Sequence, residues 1–81
     1  MVTCEKTTSD ALEVLRLFNE ENYFTMALYI NRMIRNEGGN KQKVFADLLG
    51  GLVDAGVEDA YYSFFLVLFA YERVNQLKGI A

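Results

Sequence analysis

The sequence contains no histidine and no proline, and its only cysteine is Cys4. A single cysteine excludes a disulfide bond within the chain. The absence of histidine excludes a zinc site of the usual Cys/His kind and every catalytic pair built on histidine. A chain of 81 residues buries only about 60% of the surface that its unfolded form exposes. With disulfides and zinc excluded, oligomerisation or partner binding is the expected source of added stability.

Positive charge is also scarce. Eight lysines and arginines stand against eleven acidic residues, which gives a net charge of −3, and the basic residues are scattered along the chain. Nucleic acids and anionic membrane surfaces attract clustered positive charge. We therefore expect no nucleic-acid partner and no membrane partner. We also expect no metal and no cofactor.

A long apolar run is missing as well. The most apolar stretch, 60–71, has twelve residues and is broken only by Ser63, whereas a membrane-spanning helix needs about 20 apolar residues. The first residues do not show the basic and then apolar pattern of an export signal. Together with the single cysteine, this favours a cytoplasmic location.

Apolar residues recur at spacings of three and four along most of the chain, which is typical of amphipathic helices. We expect an all-α fold, a compact antiparallel bundle in one domain spanning 1–81, with 1–8 as a loose N-terminal segment. The first two helices could also merge into one bent helix, which would leave three. The predicted helices span residues 10–21, 23–36, 41–54 and 57–77.

Local signals for helix ends support these bounds. Ser9 or Asp10, Asn22 and Asn40 are suitable N-caps, and Gly38-Gly39 is suitable for ending the second helix. Gly50-Gly51 falls inside the third predicted helix, where each glycine costs about 1 kcal/mol relative to alanine. Either a neighbouring helix approaches closely at this point, or the third helix ends near Gly50.

The last predicted helix is apolar on every side from 60 to 71. Such a helix is normally buried all round, but three short helices can hardly enclose a helix about 30 Å long. We therefore expect part of its surface to contact another chain. Aromatic side chains are well suited to interfaces, and the interface candidates on this helix are Tyr61, Tyr62, Phe65, Phe69 and Tyr71.

The remaining charged groups do not predict catalysis. The acidic pairs Glu20-Glu21 and Glu58-Asp59 are adjacent in sequence, and adjacent residues do not face each other on a helix. Arg32 and Arg35, three residues apart, could contact an anion or an acidic partner. Positive charge near the C-terminal end of a helix also accounts for both arginines. The sequence predicts that this protein is not an enzyme.

The leading hypothesis for function is a small acidic protein–protein interaction module that forms a homodimer. A more specific version is an inhibitor or immunity-type protein, which would present acidic helices, including the glutamates of the first, to a basic target. The alternative is a carrier or sensor that holds a small apolar ligand between its helices, with Met26 and Met33 beside the aromatic residues.

Overall fold

Four α-helices make up the part of the chain that the structure describes, residues 5–77 of this computed structural model. They are α1 (Glu5–Asn19), α2 (Tyr23–Asn36), α3 (Lys41–Asp54) and α4 (Ala60–Leu77), and these residues contain no strand. The predicted all-α class and four-helix bundle are confirmed. The three-helix alternative is wrong, since α1 and α2 are separate, and α2 and α3 have the predicted bounds.

The helices form a ring in cross-section. α1 packs most extensively on α3 and also lies beside α2, while α4 packs on α2 and α3. α1 and α4 are therefore diagonal neighbours with less contact between them. As a result, the other three helices contact α4 on one side only.

The core lies between the four helices and is apolar, with no buried polar residue among those described. Two side-chain hydrogen bonds link helices at its margin. The Tyr29 hydroxyl on α2 donates to Asp10 Oδ1 on α1 at 2.8 Å, and the Tyr71 hydroxyl on α4 donates to Asn31 Oδ1 on α2. The largest fully buried side chains are those of Met26, Ile30, Val44 and Tyr71.

The close approach of α1 to α3 explains one of the two glycines in the middle of α3. A Cβ atom at Gly51 would lie 2.7 Å from the Ala11 Cβ and 2.9 Å from the Thr7 carbonyl oxygen. Such distances are far below van der Waals contact, so only glycine fits there. α3 continues unbroken to Asp54, and the alternative of a helix end near Gly50 is wrong.

α1 begins five residues earlier than predicted, at Glu5, so 5–8 are its first turns rather than a loose segment. Residues 6–9 are polar and could not reveal a helix by apolar spacing. Their backbone packs on α3 beside Gly51. Asp10, a predicted N-cap, lies inside α1. The rest of the expected loose segment, with Cys4, lies outside the described residues.

The first three helices end in the same way. The amide of the second residue beyond each helix's C-cap bonds to a carbonyl five residues back: Asn22 to Leu17 at 2.9 Å, Gly39 to Ile34 at 2.8 Å and Val57 to Leu52 at 3.1 Å. This is the Schellman motif, which places the preceding residue in the left-handed region. Those residues are Glu21 (φ 60°), Gly38 (φ 69°) and Gly56 (φ 75°).

The same motif explains why α4 begins at Ala60, three residues after its predicted start. Gly56 and Val57 complete the end of α3. Asp59 has φ 55°, a left-handed conformation that cannot continue a right-handed helix. Glu58 and Asp59, expected in the first turn of α4, therefore precede it.

Candidate protein interaction surface

α4 has two opposite faces of similar apolar character. The residues of its inner seam are spaced alternately by four and three positions, and they pack against the core. The opposite side, which we call the outer face, is turned to solvent although it carries four aromatic rings. The inner seam consists of Ala60, Phe64, Val67, Tyr71 and Val74, and the outer face of Tyr61, Tyr62, Phe65, Leu66 and Phe69.

The outer face is the most extensive exposed apolar surface on one described helix. The four aromatic residues are each 63–65% exposed, and Leu66 is 37% exposed. A fully buried aromatic side chain removes about 150–250 Å² from water. At these exposures the four rings leave roughly 500 Å² of mainly apolar surface in contact with water. This area is in the range of the largest apolar patch on a typical monomer, about 300–600 Å², and such patches are often functional.

Tyr71 does not belong to this surface. It is 1% exposed, and its ring packs edge-on against Phe45 at 5.4 Å between ring centroids. The expectation that Tyr71 contacts a partner is wrong, because position 71 continues the inner seam by four residues from Val67. Leu66 was missed by sequence reasoning, although its spacing from Tyr62 and Phe69 by four and three residues indicates the same face.

Charged residues lie at both ends of the outer face. Glu58 and Asp59 precede α4, Glu72 and Arg73 lie near its C-terminal end, and all four are exposed. The ion pairs among the described residues involve none of these four. On a helix with 3.6 residues per turn, Arg73 lies on the line of Tyr62 and Phe69, and Glu72 lies on the line of Tyr61 and Phe65. Glu72 also borders a shallow cleft with Phe65 and Phe69.

Arg32 and Arg35 are both exposed on α2, as expected for anion contacts. Arg32 lines a small polar cleft of about 180 Å³ beside Tyr29 and Asn36, and Arg35 does not line it. Within the described chain neither arginine forms an ion pair. The structure therefore does not bring the two arginines together in one cleft, and their contact with an acidic partner stays a prediction.

Two glutamates of the first predicted helix, Glu13 and Glu20, expected to contribute to a binding surface, are already paired with Arg16. Arg16 bonds to Glu13 Oε2 at 2.6 Å and to Glu20 Oε2 at 2.7 Å. Hydrogen bonding from the Arg16 guanidinium holds the pKa of Glu13 below its usual value. The resulting i, i+3 and i, i+4 pairs reduce the negative charge that α1 can present to a basic target.

The clefts among the described residues are polar or shallow. A partly open cleft of about 260 Å³ between α1, α2 and α3 is lined mainly by charged and polar side chains beside Met33. Met26 is fully buried in the core. Over residues 5–77 no three acidic or cysteine side chains are grouped to hold a metal ion. None of the four helices is both long and apolar enough to cross a membrane.

The chain matches no family model, no curated protein and no solved structure. Arguments about its function therefore depend on the geometry above.

Proposed function

We propose that this protein is a small acidic protein–protein interaction module that forms a homodimer through the outer face of α4. The proposal depends on one observation: four aromatic side chains on this face are exposed to solvent. They are Tyr61, Tyr62, Phe65 and Phe69. Removing apolar surface from water is the main favourable term in most protein association.

The available area fits a dimer. Roughly 500 Å² of ring surface per copy gives about 1,000 Å² over two copies, which is about the lower bound for a specific interface. Leu66 and the charged residues at the ends of α4 add to this area. Aromatic residues are also the side chains that most often dominate binding energy.

The size of the chain supports the same conclusion. A domain of 81 residues has a small core and gains stability from association. A cytoplasmic location is consistent with the single cysteine and stays a prediction. The ligand-carrier alternative gains no support from Met26 and Met33, because the first is packed in the core and the second lines a polar cleft.

The test is the molar mass in solution, measured by size-exclusion chromatography with light scattering over a wide concentration range. We expect the wild-type chain to be a dimer. Phe65→Ser should shift it to monomer, because each dimer loses two rings at the centre of the contact. An aromatic residue at a binding hot spot typically contributes about 2 kcal/mol or more, so the loss of one from each copy should weaken the dimer by about 4 kcal/mol, on the order of 1,000-fold in affinity.

Phe24→Ser is the matched control. Phe24 on α2 is 58% exposed, close to the 63% of Phe65, so the two variants remove similar apolar surface from different helices. Phe24→Ser should leave the dimer intact. A wild-type chain that stays monomeric at all concentrations, or a dimer that Phe24→Ser disrupts and Phe65→Ser does not, would contradict the proposal.

A further inference from the structure

Four of the five residues of the outer face have the same spacing when read from the middle of the face in either direction. The middle lies between Phe65 and Leu66, and three positions outward on each side there is a further aromatic ring, Tyr62 on one side and Phe69 on the other. All four side chains are exposed. A surface with this internal symmetry is complementary to a second copy of itself turned by 180°, as an isologous two-fold contact requires.

The net charges at the two ends differ, which favours one orientation. Glu58 and Asp59, just before α4, give one end two negative charges, whereas Glu72 and Arg73 cancel at the other end, and all four are exposed. In an antiparallel pair, the acidic segment of one copy lies beside Arg73 and Glu72 of the other. In a parallel pair, the acidic Glu58-Asp59 ends of both copies would lie together, and like charges that face each other repel. The helix dipoles also favour the antiparallel arrangement.

We infer that two copies of this chain pair α4 against α4 in antiparallel orientation, with the two-fold axis passing between Phe65 and Leu66. Tyr62 of each copy then packs on Phe69 of the other, and Phe65 packs on Leu66. The inference rests on the proposed homodimer and adds its orientation, its register and its central contacts. Glu72 borders the same shallow cleft as Phe65, Leu66 and Phe69, at the C-terminal end of the contact.

Disulfide trapping between single engineered cysteines tests this register. Each variant carries Cys4→Ser, so that the engineered cysteine is the only thiol. Leu66→Cys lies next to the axis, so its two copies are only one residue apart along the helices, and it should form a covalent dimer under mild oxidation. Paired cysteines have a local concentration in the mM range, so at µM protein the disulfide should form on the order of 1,000-fold faster than by random collision.

Cysteines far from the axis should behave differently. In the antiparallel pair, the two copies of Arg73→Cys are about 15 residues apart along the helices, or roughly 22 Å. A disulfide needs Cα atoms about 4.4–6.8 Å apart, so this variant alone should not form a covalent dimer. An equal mixture of Arg73→Cys and Glu58→Cys should form the mixed disulfide, which intact mass spectrometry distinguishes from both self-pairs.

The possible results of these experiments test the antiparallel register and the proposed homodimer separately. Rapid self-pairing of Arg73→Cys would overturn the antiparallel register, whereas the homodimer itself would stand. A chain that is monomeric by light scattering would overturn both. Arg35→Cys, exposed on α2, measures the collision rate. Because the Glu58 and Arg73 variants leave the core unchanged, their mixture decides the register even if Leu66→Cys folds poorly.

Discussion

At the residue scale, Glu21 is where residue type and backbone geometry disagree. Its φ of 60° lies in the same left-handed region as the φ of Gly38 and Gly56, the residues at the two equivalent helix ends. A residue with a side chain is less stable than glycine in this region by about 1–2 kcal/mol. Glycine also makes the unfolded chain more flexible, which offsets part of that advantage.

We therefore expect Glu21→Gly to raise the free energy of unfolding by about 0.5–1 kcal/mol, measured by chemical denaturation at neutral pH. Gly38→Ala is the control of opposite sign, because it introduces a side chain at φ 69° in open space. It should lower the free energy of unfolding by a similar amount. A destabilised Glu21→Gly variant would contradict this interpretation of the helix end.

Tyr29 is the residue whose ionisation is coupled to folding at high pH. Burial, together with its hydrogen bond to Asp10, raises the pKa of Tyr29 to about 12 from an ordinary value of 10.0. The folded state therefore favours the protonated hydroxyl. This contribution to stability is fully present below pH 10 and is lost as the pH rises towards 12.

The variant Tyr29→Phe keeps the ring and removes the titrating group. We expect its free energy of unfolding to be about 1 kcal/mol lower near neutral pH, because the bond to Asp10 is lost. Between pH 10 and 12 the difference from the wild type should shrink. Denaturation curves at several pH values measure it, and a constant difference across this window would contradict the coupling.

At the element scale, the contact between α1 and α3 depends on Gly51. Alanine is favoured over glycine in a helix by about 1 kcal/mol, yet its Cβ would lie 2.9 Å from the Thr7 carbonyl oxygen and 2.7 Å from the Ala11 Cβ. Backbone atoms cannot yield cheaply, and overpacking typically costs about 1–3 kcal/mol. The steric term should outweigh the helix propensity.

We expect Gly51→Ala to lower the free energy of unfolding by about 1–2 kcal/mol, as measured by denaturant titration. Ala11→Gly removes one of the two clashing atoms, so Gly51→Ala should cost less in that background, and a double-mutant cycle measures the difference. Stabilisation by Gly51→Ala in the wild-type background would show that α1 and α3 do not approach so closely.

At the scale of the whole molecule, the ring of four helices leaves one side of α4 without support. Among the described residues α4 packs on α2 and α3, and its outer face is exposed. If a second copy binds there as proposed, folding and association are coupled by mass action, and the apparent stability depends on protein concentration.

This coupling predicts a melting temperature that rises with concentration. For a dimer of chains of this size, a tenfold increase should raise the melting temperature by roughly 4 °C, as measured by circular dichroism or calorimetry. Phe65→Ser should abolish the dependence and Phe24→Ser should keep it. A wild-type melting temperature that is independent of concentration would indicate a monomer.

The sequence by itself determined the helical class and the bounds of α2 and α3. Two of those bounds follow from local chemistry: the Asn40 side chain at the start of α3 accepts from the Lys43 amide at 3.1 Å, and Gly38 adopts the left-handed conformation that ends α2. The Asn22 side chain makes no capping hydrogen bond at the start of α2. The apolar spacing within each helix is likewise a property of neighbouring residues. Local interactions of this kind can be predicted because they need no knowledge of the fold.

The tertiary structure alone decided which face of α4 is buried and where α1 begins. α4 is apolar on all sides, so its spacing could not separate the buried Tyr71 from the exposed Tyr62. The first turns of α1 are polar and are held by packing beside Gly51. Both features depend on contacts between residues far apart in the chain, and helical periodicity carries no information about such contacts.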